Sequence, residues 1–331
     1  MTRTGTLELV CPAGTPPALR AAVDAGADAV YLGFRDETNA RNFPGLNFNR
    51  DELGDGVAYA HEYGARVFLA INTFPRAGHP EPWRRAIDDA ATLGADAVIL
   101  ADIGLAEYAR DTHPRLCRHL SVQASASNAE AIRFYHREFG VKRVVLPRVL
   151  TVSEIAALNK SIPVETEVFV FGGLCVMAEG RCALSSYVTG QSPNTHGVCS
   201  PASHVRYEER DDGTVCRLGD YTLNVFGEGE APGYPTLCKG RFDVGGHTAY
   251  LFEDPVSLNA IHMLAELMDA GVTGLKIEGR QRGRAYVSQV VAAFRRAVDA
   301  AARGEAVPAE DLLAVAEGGR QTAGAYRSRW K

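Results

Sequence analysis

"GADAVYL" at residues 26–32 and "GADAVIL" at residues 94–100 are two copies of one phrase, and their reading decides the fold. Each joins a glycine suited to a helix C-terminus to a short apolar run rich in valine, leucine and isoleucine, so each reads as a helix stop followed by a strand. Six further runs of this kind occur: "LELVCPA" (7–13), "RVFLAIN" (66–72), "LSVQAS" (120–125), "RVVLPR" (143–148), "VFVFGG" (168–173) and "GLKIEGR" (274–280), while the two copies continue as "AVYLGF" (29–34) and "AVILAD" (97–102). Amphipathic stretches such as "PPALRAAVDAGA", "WRRAIDDAATLGA", "NAEAIRFYHREFG" and "TVSEIAALNK" separate them. Eight strands alternating with helices predict an α/β fold, a closed (β/α)8 TIM-like barrel rather than an open sheet.

One interval breaks the rhythm. About 100 residues separate the seventh strand from the eighth, where a βα unit needs far fewer, so the seventh connection carries an insertion at about 173–260. Within it "HVRYEERDDGTVCRLGDYTLNV" predicts a hairpin with an Asp-Asp-Gly-Thr turn, and "PVSLNAIHMLAELMDAG" a helix leading to strand eight. "RAYVSQVVAAFRRAVDAAARG" predicts a closing amphipathic helix. No linker divides residues 1–331, which read as a single barrel domain with that insertion.

The chain is 46% hydrophobic and 23% charged, a globular balance. Its N-terminal stretch shows neither signal-peptide nor transit character, and no apolar run approaches the length of a membrane span, so a cytoplasmic protein without a transmembrane segment is expected. Thirty-five basic against forty acidic residues give a net charge of −5 without a basic tract, which argues against nucleic acid as a partner.

Active sites of such barrels form at the C-terminal ends of the strands. The polar side chains predicted there, and hence the candidates for binding a substrate, are Arg35, Asn39, Arg41, Asn72, Gln123, Arg148, Lys276, Glu278 and Arg280. No pattern assigns a catalytic residue among them. "GLNFNRDEL", with Phe43, Phe48 and Phe74, offers aromatic rings for an apolar pocket near the same mouth.

Of seven cysteines, Cys175, Cys182, Cys199 and Cys238 fall in the insertion at steps of 7, 17 and 39 residues. Cytosolic thiols stay reduced, so a disulfide framework is not expected. Four thiolates gathered by glycine-rich loops suit either a tetrahedral zinc or a [4Fe-4S] cluster. Cys11 reads as a packed thiol at the end of strand one, and Cys117 and Cys216 carry no signal.

"EVFVFGGLCVMAEGRCALS", Glu167 to Ser185, resembles the signature of the collagenase-like peptidase family, unclassified peptidase family thirty-two, with Gly173 in place of the usual Ser or Ala. "TNARNFPGLNF", "SVQASASN", "SPNTHGVCSPA" and "GYPTLCKGR" are similar to one branch of it, that of oxygen-independent ubiquinone biosynthesis. The resemblance implies a [4Fe-4S] cluster on Cys175, Cys182, Cys199 and Cys238, with zinc as the minority alternative. It further implies a heterodimer with a UbiV-like paralogue and hydroxylation of ubiquinone precursors with prephenate as oxygen donor. Arginine forks among the strand-end candidates suit the carboxylates of such a donor.

Three rivals follow. Other branches of the family hydroxylate tRNA uridine with prephenate. A peptidase would need a nucleophile or a metal-bound water, and neither H-E-x-x-H nor G-x-S-x-G occurs. A scaffold would use the cysteine site for stability alone.

Overall fold

The computed structural model describes residues 7–196, 198–211, 213–230, 233, 235–308 and 311–327. Seven strands follow one another, β1 (Glu8–Pro12), β2 (Ala29–Leu32), β3 (Arg66–Ile71), β4 (Ala97–Leu100), β5 (Cys117–Leu120), β6 (Arg143–Val145) and β7 (Glu165–Gly173). Helices α1 (Pro16–Asp24), α2 (Arg50–Glu62), α3 (Glu81–Thr92), α4 (Ile103–Thr112), α5 (Ala129–Phe139) and α6 (Val152–Asn159) alternate with them. Side-chain caps start most of these helices, with full capping boxes at Asn49/Glu52 and Thr151/Glu154.

Between β7 and the eighth barrel strand lie two short helices, α7 (Leu184–Thr189) and α8 (Pro193–His196), and a three-stranded antiparallel meander, β8 (Val205–Arg210), β9 (Gly213–Leu218) and β10 (Tyr221–Phe226). A hairpin follows, β11 (Arg241–Val244) and β12 (His247–Tyr250), then β13 (Ser257–Asn259) and α9 (Leu264–Asp269). The barrel strand β14 (Gly274–Ile277) leads into α10 (Arg284–Ala302), and β15 (Gln321–Thr322) comes last. β14 pairs in parallel with both β7 and β1, which closes the eight-stranded parallel barrel.

Three local readings change. The fifth strand runs over Cys117–Leu120 instead of 120–125, because Ser121 Oγ accepts from the Gln123 N–H at 3.2 Å and turns the chain into a 3-10 turn over Val122–Ala124. The predicted hairpin of the insertion is there but gains a third strand, and Asp212 of its turn lies outside the described residues. "PVSLNAIHMLAELMDAG" begins as β13, antiparallel to the outer end of β7, before turning helical.

Most of the apolar core lies between the barrel and its helices, where Leu9, Leu32, Leu69 and Phe294 are fully buried. Inside the barrel a small apolar cluster of Val10, Ala29, Tyr31, Phe68, Ala97 and Ile99 shares the space with charge. Fully buried Glu167 on β7 accepts from Lys276 on β14 at 2.6 Å and pairs with Arg143 on β6 at 3.3 Å. Arg143 also reaches Glu8 at 2.5 Å and Glu165 at 2.7 Å, and Arg66 pairs with Glu8. Burial alone would raise the Glu167 pKa, but Lys276 and Arg143 outweigh it and bring it down to about 2. His119 on β5 lies edge-on to Phe68, and burial, with Arg143 nearby, lowers it to about 3. Among the described residues no helix is long and apolar enough to cross a membrane.

The buried charges make stability depend on acid. Unfolded His119 binds a proton near pH 6.5 and the folded one only near 3, so between those values the unfolded state holds more protons and stability is lost as the pH is lowered, by about 1.4 kcal/mol per unit. Glu167 adds to the same loss below about 4.5, where its unfolded carboxyl protonates and the folded one does not. Urea denaturation across pH is expected to give His119→Gln a shallower slope between pH 6.5 and 4.5. Glu167→Gln should lose about 3–5 kcal/mol at pH 7, since it takes the carboxylate from the buried Lys276 ammonium. An unchanged slope in the first, or a loss under about 1 kcal/mol in the second, would contradict this picture.

Candidate functional site

The C-terminal ends of the strands open into a pocket, and the connection between β2 and α2 supplies one wall. Asn39 fixes that connection: its Nδ2 donates to the Phe34 carbonyl, and its Oδ1 accepts from the Arg41 N–H at 2.9 Å and from Arg280 Nη1 at 3.2 Å. Asn72, at the end of β3, accepts from the Ala40 N–H at 2.9 Å and donates to Ser121 Oγ at 3.3 Å. Asparagine amides therefore hold two arginines in place, Arg41 through its backbone and Arg280 through its side chain.

Seven of the nine residues expected at the mouth line this pocket together: Arg41, Asn72, Gln123, Arg148, Lys276, Glu278 and Arg280. Asn39 stands behind it as a positioning residue. Arg35 does not belong there. It turns outward over the start of α2, donating to the Asn47 carbonyl at 3.0 Å and pairing at 2.9 Å with Glu52, whose carboxylate the capping box holds at that helix start. Of the three aromatics, Phe48 is fully buried in the core and Phe43 lines a different cavity.

Sequence reasoning missed Tyr31, Ser121, Phe169 and above all Glu179. Glu179 lies between two cysteines in the loop after β7 and forms a buried ion pair with Arg148, whose guanidinium carbon stacks 3.5 Å from the centre of the Phe169 ring. The signal available was an acidic residue flanked by glycine immediately behind a strand end. The same loop is latched to the β5 side: Ser125 Oγ donates to the Glu179 carbonyl, and Gly180 has φ +84° with its Cα so close to the Gln123 carbonyl that a Cβ would sit 2.0 Å from that oxygen.

Four cations, Arg41, Arg148, Lys276 and Arg280, thus face three carboxylates, Glu167, Glu179 and Glu278. Burial would raise Glu278, but Arg41 and Arg148 pull its pKa below the ordinary value. Burial brings Arg280 down to about 10, still charged at neutral pH. Three buried polar atoms at this mouth, Gln123 Oε1, Arg148 Nε and Glu179 Oε2, have no hydrogen-bond partner among the described residues. Buried polar groups without partners are costly, so a site that keeps an acceptor and a guanidinium N–H unsatisfied is shaped for a polar ligand.

The four insertion cysteines gather beside this mouth. Cys175 lies within electrostatic reach of Cys199, Cys182 of Cys238, and Cys199 of Cys182, while Arg41 and Arg148 both act on Cys199. Backbone hydrogen bonds from Met177 and Leu184 reach the Cys175 and Cys182 thiols, and Thr236 Oγ1 stands 3.4 Å from Cys238 Sγ. Burial pushes Cys175 up to about 12 and raises the other three, so each sulphur would become a thiolate only in exchange for a metal. Among the described residues no three His, Cys, Asp or Glu side chains converge closely enough for one metal ion. Cys11 and Cys216 are buried, and Cys117 lies inside the barrel away from this site.

The profile of Peptidase family U32 matches residues 14–323. The chain is 33% identical over 323 residues to "tRNA hydroxylation protein P" of Escherichia coli K12, covering 90% of this chain and 69% of that protein. It is 31% identical over 296 residues to "tRNA hydroxylation protein P1" of Bacillus subtilis 168, covering 88% and 63%. It is also 31% identical over 297 residues to the "23S rRNA 5-hydroxycytidine C2501 synthase" of Escherichia coli K12, covering 89% and 39%. The chain therefore spans at most about two thirds of these relatives' own length.

The latch between the cysteine loop and the barrel can be broken selectively. Gly180→Ala forces a left-handed backbone and a clash with the Gln123 carbonyl, and should cost about 2 kcal/mol or more. Limited proteolysis should then cut within 174–182 at rates at which the parent chain resists; equal protection would show that the latch does not hold the loop.

Proposed function

The chain belongs to Peptidase family U32, and on that premise we propose that it is the iron-sulfur subunit of an oxygen-independent hydroxylation system, akin to UbiU. It would act in the cytoplasm on ubiquinone precursors together with a UbiV-like paralogue, with prephenate as oxygen donor. One observation carries the reading. A cationic mouth with unsatisfied polar atoms stands against four electrostatically linked cysteines, so a small carboxylate ligand and a redox group can be neighbours. Relatives named for hydroxylating tRNA and rRNA support a hydroxylase-type role.

Cys175, Cys182, Cys199 and Cys238 would hold the cluster. A cubane takes one sulphur on each of its four irons, which matches four thiols within electrostatic reach of one another. When bound, such a cluster supplies a route for electrons. The chain's own residues do the rest: Arg148 and Arg280 offer guanidinium forks to donor carboxylates, Asn39 orients Arg280, and Gln123 Oε1 accepts from a donor hydroxyl. Lys276, over the Tyr31 ring at 3.6 Å, sets positive potential at the floor.

The names of the relatives favour a second reading, hydroxylation of tRNA uridine. Against it stands the net charge of −5, which offers little to a phosphate backbone. Proteolysis ranks below both, since no histidine lines the mouth to activate a nucleophile.

Anaerobically purified protein is expected to contain about four irons and four acid-labile sulfides per chain, both lost in Cys175→Ala. One zinc without sulfide would overturn the redox role, and a cluster that cannot be reduced and reoxidised would leave only a scaffold. Arg148→Lys keeps the charge but loses the fork, and should weaken prephenate binding about tenfold, or about 1.4 kcal/mol. Unchanged binding would remove the mouth as the donor site.

A further inference from the structure

A second cavity, of about 280 Å³, lies on the other side of the connection between β2 and α2. Phe43, Pro44 and Trp83 line it from the barrel, and His196, Val198 and Pro201 from the insertion. Its relation to the first is set by sequence neighbours. Arg41 faces the mouth, whereas Asn42, Phe43 and Pro44 face the second cavity. On the insertion side, Val198 and Pro201 bracket Cys199, the thiol on which Arg41 acts. Asn194, on the short helix that also supplies Thr195 and His196 to the cavity, donates to the Cys182 carbonyl at 3.3 Å. The two cavities therefore flank the cysteine site, separated by one stretch of chain.

Their chemistry differs. The mouth holds four cations and partnerless polar atoms, and suits a carboxylate. In the second cavity Arg76 is paired with Glu37 at 2.9 Å, and the Trp83 N–H already donates to Thr73 Oγ1 at 2.9 Å. What is left for a ligand is an apolar lining of Phe43, Pro44, Val198 and Pro201, together with the amides and hydroxyls of Asn42, Gln191, Thr195 and Ser203. A cavity just below the usual size of drug-sized sites accepts one six-membered ring with a short substituent, and its amides and hydroxyls can meet a single ring hydroxyl. A hydroxylation needs two ligands, donor and acceptor, within reach of one chemical centre.

We infer that this second cavity binds the acceptor, an uncharged substituted phenol ring, while the mouth binds the donor. The inference rests on the proposed hydroxylation, but binding alone tests it, so a chain that binds both ligands separately and never turns over would sink the proposed function and leave the two-site assignment standing.

The probe is 2-allylphenol, titrated calorimetrically into the full-length protein purified without oxygen, with prephenate titrated in parallel. Ala202 is an exposed lining residue at the rim, so Ala202→Glu obstructs the cavity without touching the core, and Phe43→Ala removes a ring. Saturable binding of 2-allylphenol is expected, weakened at least about tenfold in both variants, with prephenate affinity kept within about twofold as proof that the chain is folded. Arg148→Lys should show the opposite split. Three outcomes would overturn the assignment: no saturable binding of the phenol, phenol binding that Arg148→Lys removes while Ala202→Glu and Phe43→Ala leave it intact, or uridine monophosphate occupying the cavity in its place.

Discussion

Glu167 is the residue on which the closure of this barrel turns. It is the third residue of β7, has no exposure, and joins Lys276 of β14, which is 109 residues further along the chain. The last barrel strand must find its place after the long excursion of the insertion, and a loop of that length offers no local guidance. The Lys276 ammonium, neutralised by Glu167 at 2.6 Å, supplies the missing specificity. Arg143, Glu8 and Arg66 extend the same network to β6, β1 and β3, so these ion pairs touch five of the eight strands and span the seam where the barrel closes. The arrangement gives register more than it gives net stability, since the attraction between buried ions largely offsets the cost of drying them.

From that seam the functional end is built outward. β7 continues past Glu167 through Phe169 to the glycines, and the loop behind them carries Cys175, Glu179 and Cys182. Arg148 clamps the loop through Glu179, and Ser125 latches its backbone. Charge inside the barrel, charge at its mouth and sulphur at its rim thus lie in one column. A carboxylate bound at the mouth would meet a potential already arranged by Asn39, Asn72 and the paired glutamates, with little left to reorganise.

The alternation of strands and helices was legible because the Gly-Ala-Asp phrases and the apolar runs follow the rules of local structure. The errors have physical causes. Strand β5 contains Arg118 and His119, which a pattern based on apolar alternation rejects, although both are buried: Arg118 Nε donates to the Phe139 carbonyl at 2.7 Å and His119 packs on Phe68. The apolar reading slid forward onto residues that belong to a turn. β13 is three residues long and owes its existence to the free end of β7, a tertiary circumstance. At the site, cations at strand ends were readable from position alone. Arg35 deceived because a helix start lay closer to it than the mouth, and Glu179 escaped because the surrounding cysteines drew the eye to metal chemistry.

β7 is the longest barrel strand, and its two halves have different partners. Its inner part hydrogen-bonds to β6 and β14, while Phe171 to Gly173 lean outward and pair with β13, which in turn carries β15. The excursion between β7 and β14 therefore completes a sheet that the barrel leaves open. Excised, it would leave a strand end with bare N–H and C=O groups, the kind of edge that recruits other chains. In this protein the cysteine-bearing segment and the barrel cover each other's edges: removing one uncovers the other.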